Sequence, residues 1–211
     1  EGQAAQLYAA VRAVGMEFCP ALGIAIPVGK DSLSMQAQWQ DDLGVTHSVV
    51  SPITLVATAA APVRDITKTL TPMLSTEPET VLALLDLGEK TAALGGSILA
   101  QVTNQLGSCV PDCRSPARLR QFFSALSELR ANNLLLAYHD RSDGGLFSTL
   151  TEMMFAGHCG VTVDISVLEE DVLAALFNEQ LGAVIQYRRA DEARVAAIVS
   201  QHAFSNHLIP I

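Results

Sequence analysis

The sequence predicts an α+β protein in layers, with helices covering one mixed sheet. Three observations carry this reading. Helix-period and strand-period apolar patterns alternate along the chain. The 211 residues are 49% hydrophobic and 17% charged, enough apolar material for a sizeable core. Cap and turn residues separate the apolar runs instead of interrupting them.

The elements follow in order. Leu7, Ala10, Val11, Val14 and Phe18 have helical spacing and predict a helix over 3–18. Gly23 to Val28 reads as a short apolar strand, ended by the polar loop Gly29-Lys30-Asp31-Ser32. Leu33 to Trp39 alternates like a half-buried strand, with Trp39 in the core, and Asp41-Asp42-Leu43-Gly44 supplies turn residues. A further strand is expected within Val45 to Ala61, longest over 53–60. Pro62 to Pro78 is rich in Thr and Pro without periodicity, and a domain boundary is placed there.

Beyond it, Val81 to Leu87 suits a strand, although its Leu/Ala composition suits a helix as well. Leu94-Gly95-Gly96-Ser97 is a loop, and its serine suits either an anion contact or a simple turn. Ser115-Pro116 starts a helix, with an N-cap and proline at the first position. Leu119, Phe122, Phe123, Leu126 and Leu129 form its apolar stripe. Leu134 to Tyr138 is a buried strand, and Leu146, Leu150, Met153 and Met154 mark a helix. Gly160 to Ile165 is a strand, and Ser166 with Glu169 makes a capping box for the next helix. Gly182 to Tyr187 is a strand, 190–203 a helix, and His207 to Ile211 the start of a strand.

Charge and composition exclude several functions. The net charge of −9 and the lack of any Lys/Arg cluster argue against a nucleic-acid partner. Aromatic content of 5% argues against base-stacking platforms. No apolar run reaches the roughly 20 residues of a membrane-spanning helix. The first residue is Glu1, no signal-peptide pattern follows, and the end reads as an unfinished strand, so a piece of a longer chain is expected. Cys109-x3-Cys113 is the closest cysteine pair, with no second pair or histidine at zinc spacing. Reduced thiols in a cytoplasmic protein are the expected state. His47, His158, His202 and His207 are scattered and read as surface or packing residues.

The best chemical signal is His139-Asp140-Arg141-Ser142-Asp143-Gly144-Gly145, where a strand delivers polar residues to a helix start. Free amides and the positive helix end suit an anion, most often a phosphate. Gly144 and Gly145 permit close backbone approach. Asp140 and Asp143 repel bare phosphate and suit a bridging Mg2+, while Ser142 can donate to phosphate. His139 sits beside Asp140, where it can serve the site or orient the loop. A plain cap with a glycine turn explains the same pattern. A second loop places Lys30 and Asp31 between two strands. Lys30 suits a phosphate or carboxylate there, or an ion pair with Asp31, without the P-loop spacing.

The strings PVGKDSLSM (27–35), SPITLVATAAAPVRDI (51–66), LGGSILAQV (94–102) and AYHDRSDGGLFSTLTEMMFAGHCG (137–160) resemble the large, single-chain phosphoribosylformylglycinamidine synthases of purine biosynthesis. The resemblance covers nearly the whole chain. It implies an enzyme converting formylglycinamide ribonucleotide, ATP and glutamine to formylglycinamidine ribonucleotide, ADP, phosphate and glutamate. It also implies tandem aminoimidazole-ribonucleotide-synthetase-like units, each with an N-terminal A and a C-terminal B part. Residues 1–66 then match the tail of the second A part. Residues 67–211 match most of the second B part, an aminoimidazole-ribonucleotide-synthetase C-terminal-like domain.

Carried over by position, Asp140 matches a Mg2+ ligand and Ser142 an ATP contact. Gly144, Gly145 and Lys30 join the nucleotide set, with His139, Asp143 and Asp31 as further candidates. The resemblance implies Mg2+ and ATP or ADP as cofactors. The implied partners are the first synthetase unit and a glutaminase domain of the same polypeptide. The other Mg2+ ligands and the glutaminase residues of the family have no match here, so the chain alone is expected to be inactive and to bind ATP·Mg2+ weakly. The family has a catalytic and an auxiliary, structural nucleotide site; Asp140 and Ser142 match the auxiliary one. Exposed apolar edges in 23–60 suit a dimer contact.

Overall fold

The computed structural model describes residues 2–30, 35–63, 65–88, 92–168 and 171–211. They fall into two compact units, Glu1–Val63 and Arg64–Ile211.

In the first unit, helix α1 (Gln3–Arg12) widens into a π-helical stretch at Ala13–Phe18 and continues as α2 (Cys19–Leu22). Proline offers no N–H and its ring crowds the carbonyl four residues back, which for Pro20 is Met16, inside the widened stretch. The helical segment outruns the expected 3–18 and stops at Gly23, whose φ of 77° makes a left-handed cap. The expected strand at Gly23 to Val28 does not form. Its Ile24, Ile26 and Val28 are exposed, with no ladder beside them among the described residues.

Strands β1 (Gln36–Gln40) and β2 (Thr46–Val50) make an antiparallel hairpin. Asp41 shapes its turn: Oδ1 accepts the N–H groups of Leu43 and Val45, both at 3.0 Å. The strand expected within Val45 to Ala61 stops at Val50, where the ladder with Gln36 ends. Residues 51–63 are irregular, so the expected longest stretch, 53–60, is not a strand. Trp39 is 50% exposed and stacks on His47 instead of entering a core.

The second unit is built on a four-stranded sheet in the order β4-β5-β3-β6. The strands are β3 (Thr80–Asp86), β4 (Leu135–Arg141), β5 (Gly182–Arg188) and β6 (Leu208–Pro210). The α+β class is the one found; every pairing in the sheet is antiparallel, where a mixed sheet was expected. The Leu/Ala run after Thr80 resolves as the strand, because β5 and β6 flank it and both its faces are covered.

Alternation sends the two faces to different cores. One face carries Val81, Ala83, Leu85, Ile185 and Tyr187, packed with Phe122 and Leu129 of α4 (Pro116–Ala131) and Val195 and Val199 of α7 (Glu192–Gln201). The other carries Leu84, Ala137 and Val184, packed with Leu146, Leu150 and Met153 of α5 (Gly145–Gly157). A register shift between Leu135 and Ala137 leaves Leu135 and Tyr138 with the first core and Ala137 with the second.

Helix starts follow the cap chemistry in two places. Ser115 Oγ accepts the Arg118 N–H at 3.2 Å with Pro116 next, and Ser97 Oγ accepts the Ala100 N–H at 3.1 Å to open α3 (Ile98–Val102). The proposed capping box is corrected. Helix α6 (Val172–Phe177) is capped by Asp171, which accepts the Leu173 N–H at 2.9 Å. Ser166 donates to Asp164 in the preceding turn instead, and Glu169 lies outside the described residues. Gly160 to Ile165 keeps a strand's alternation, with Val161, Val163 and Ile165 against the second core, but it joins no ladder among the described residues.

Candidate functional site

The candidate site is the junction between β4 and α5. Strand alternation divides its residues. His139 faces α5, where its Nε2 lies 2.5 Å from Glu152 Oε2. Tyr138 lies on the opposite face, and its hydroxyl is hydrogen-bonded to Asp140. Burial, that bond and the Asp140 charge together push the phenol above its ordinary value of 10, so it stays a donor at neutral pH. Asp140, Ser142 and Asp143 are exposed beside this pair.

The backbone around them is fixed. Gly144 has φ 78° and Gly145 φ 64°, conformations that side chains rarely adopt. A Cβ on Gly144 would overlap Ser148, and one on Gly145 would come within 2.7 Å of the Leu176 carbonyl oxygen. The glycines therefore let α5 start tightly and press against residues 176–178 of the same protein. Thr149, itself buried, donates to the Gly145 carbonyl at 2.9 Å and lies 3.2 Å from that of Asp140. It ties the strand end to the first turn.

Arg141 stands at the centre of the junction, with 6% exposure. Its guanidinium pairs with Asp86 of β3 and donates to the carbonyls of Gln180 at 2.6 Å and Leu181 at 3.0 Å. To reach Asp86 it passes over Gly182, the residue paired with both Arg141 and Asp86. A Cβ on Gly182 would stand 3.2 Å from the Arg141 Nη2 and 2.7 Å from the Leu85 oxygen. Gly182 thus clears the path of a buried ion pair.

Glu179 was not singled out from the sequence. Its Oε1 accepts the Gly144 N–H at 2.7 Å and the Ile98 N–H at 2.9 Å. The first turn of α3 and the loop 142–145 thus share one carboxylate, which stands at the start of α5. Asn178 and Gln180 flank it, 6% and 1% exposed. The available signal was a polar triplet between the apolar stretches VLAALF and GAVI.

Lys30 belongs to the first unit, where it is exposed, and Asp31 lies outside the described residues. Ser97 serves as the α3 cap and is fully buried. Among the described residues no group of three or more His, Cys, Asp and Glu collects to hold a metal. Asp140 is a single hard, exposed oxygen donor of the kind that would suit Mg2+. All four cysteines are free thiols, and burial raises that of Cys113. No described helix is long and apolar enough to cross a membrane.

Comparison with known proteins agrees with this architecture. Residues 1–62 match the FGAR-AT PurM_N-like domain, and residues 77–206 match the AIR synthase related protein, C-terminal domain. The solved phosphoribosylformylglycinamidine synthase II of Thermotoga maritima is 13% identical, with a TM-score of 0.55 over 95% of this chain and 30% of that one. T. maritima PurL complexed with FGAR is 12% identical, with a TM-score of 0.56 over 95% and 32%. At such identities the likeness is one of fold, and the chain spans less than a third of the length of either. The domain matched over 77–206 takes up more than half of the 211 residues, and the chain belongs to the AIR synthase related protein family.

Proposed function

We propose that this chain is part of a phosphoribosylformylglycinamidine synthase of de novo purine biosynthesis and contributes half of a Mg2+–nucleotide site. The whole enzyme converts formylglycinamide ribonucleotide, ATP, glutamine and water to formylglycinamidine ribonucleotide, ADP, phosphate and glutamate. In this reading 1–66 is the tail of an A part and 67–211 most of a B part. The remaining polypeptide supplies the first synthetase unit and the glutaminase, and the setting is cytoplasmic. The observation that carries the reading is the exposed Asp140–Ser142 edge on a loop fixed by Arg141, Thr149 and Glu179.

Asp140 takes the metal and Ser142 donates to phosphate. Bound Mg2+ supplies the positive charge that lets a carboxylate tolerate a phosphate. Gly144 and Gly145 give the loop its course, Tyr138 and His139 orient it, and Asp143 adds negative charge at its tip. Lys30, exposed in the first unit, is a separate candidate for a phosphate contact.

A second reading is a non-catalytic module that holds ADP as a structural element. It is favoured by the bracing of the loop by Arg141, Thr149 and Glu179. Asp140→Ala in the intact enzyme separates the readings. Lost turnover with unchanged folding supports catalysis. Lost ADP together with lowered thermal stability supports the structural role. Unchanged nucleotide content and unchanged turnover refute both.

A further inference from the structure

We propose that Glu179 is the positioning residue of the Asp140–Gly145 loop, the middle member of a clamp, Asn178-Glu179-Gln180, that holds three stretches of backbone in one arrangement. The inference rests on reading that loop as a nucleotide site. Between them the three side chains reach the backbone at 93–98, at Asp112 and at Gly144. Asn178 Oδ1 accepts the Ala93 N–H at 3.4 Å and the Gln180 N–H at 3.0 Å. Glu179 Oε1 accepts from Ile98 and Gly144. Gln180 Oε1 accepts the Asp112 N–H at 3.3 Å. The triplet is anchored in turn, because the Gln180 and Leu181 carbonyls receive Arg141 and the backbone at 176–178 abuts Gly145.

The geometry has a chemical consequence. The Gly144 amide at the mouth of α5 faces the Glu179 carboxylate. A carboxylate there satisfies an orphan donor and complements the helix dipole, in a charge-assisted bond. An incoming phosphate would have to displace a like charge to reach that amide. The nucleotide phosphates are therefore directed to the exposed Ser142 hydroxyl and to metal on Asp140. Glu179 fixes where those two groups stand and touches no ligand itself.

The test uses the intact protein and the variants E179A and E179Q. Hydrogen–deuterium exchange is read at Gly144 and Ile98, with the β5 amides Val184 to Tyr187 reporting the global fold. In E179A both amides should accelerate together by roughly tenfold or more, the factor implied by losing one hydrogen bond to a charged acceptor. In E179Q, whose neutral amide oxygen still accepts, both should accelerate less than in E179A. Calorimetry with Mg·ADP should show affinity lowered about tenfold in E179A and less so in E179Q. Unchanged exchange at both amides in E179A, or acceleration at only one, overturns the proposal. Tighter nucleotide binding by E179A also overturns it, because Glu179 would then be a competitor of phosphate. If E179A loses β5 protection, E179D carries the test. Its carboxylate sits one methylene short, so at least one amide must lose protection, and full protection of both overturns the clamp. A wild-type protein that binds no nucleotide refutes the nucleotide reading and leaves the exchange result to decide the clamp.

Discussion

Residues 2–63 and residues 65–211 contain the same kinds of apolar side chain and place them differently. In the first stretch Ile24, Val28, Leu55 and Val56 are more than half exposed, and every residue of β1 and β2 is exposed. In the second, Leu84, Leu85, Leu134 and Leu146 are at most 1% exposed. The difference lies in layers. A lone hairpin has one ladder and no second surface to bury its side chains against. The four-stranded sheet has α4 and α7 on one face and α5 on the other. An apolar pattern shows which residues can be buried, and topology decides whether they are.

The comparison can be tested by substitution. The largest effect is expected from Arg141→Ala, which strands Asp86 without its buried partner. Breaking such a pair costs about 3–5 kcal/mol. Urea unfolding followed through the second unit should show that loss, and a drop under about 1 kcal/mol would mean the pair does not secure the sheet. Met153→Ala comes next, at about 2–5 kcal/mol for a fully buried methionine. The matching truncation in the first unit, Val56→Ala, should fall within about 0.5 kcal/mol of wild type, because that side chain is 83% exposed. A large loss at Val56 would erase the contrast.

A pH effect lies between these two. Burial, and then the Arg118 charge, hold His207 below its ordinary value of 6.5, against the opposing influence of Asp86. The unfolded chain therefore binds the proton more readily. The stability contribution of neutral His207 is complete above 6.5 and is lost as pH falls from there through the lowered folded value. Denaturation midpoints measured on either side of 6.5 should show the decline, and His207→Gln should flatten it. Equal slopes in both proteins would place the titration elsewhere.

Local signals made much of the second unit legible in sequence. Ser115-Pro116 announced α4 because cap and first-turn chemistry lie within a few residues. Leu134 to Gly145 announced a strand feeding a helix, and the candidate loop was found there. What escaped was set at long range. Glu179 meets Gly144 across 35 positions of sequence and Ile98 across 81. The passage of Arg141 over Gly182 exists only once three strands align. Gly160 to Ile165 alternates like a strand, and nothing in its composition shows that no ladder awaits it. Trp39 looked like core because large apolar residues usually are, yet every residue of the two strands that carry it and face it is exposed.

The register shift at the start of β4 bears on how the loop can change over time. Counting by twos from Leu135 would group Ala137, His139 and Arg141 with it, on the α4 face. The extra residue at Leu136 reverses the parity. His139 thereby meets Glu152 on α5, and Asp140 joins Tyr138 on the other face. The orientation of the loop chemistry is thus stored four residues before Asp140, in the number of residues and not in their identity. Substitutions at Leu136 leave that count intact. A one-residue deletion there would turn every downstream side chain to the opposite face, so position 136 can vary in identity far more freely than the strand can vary in length.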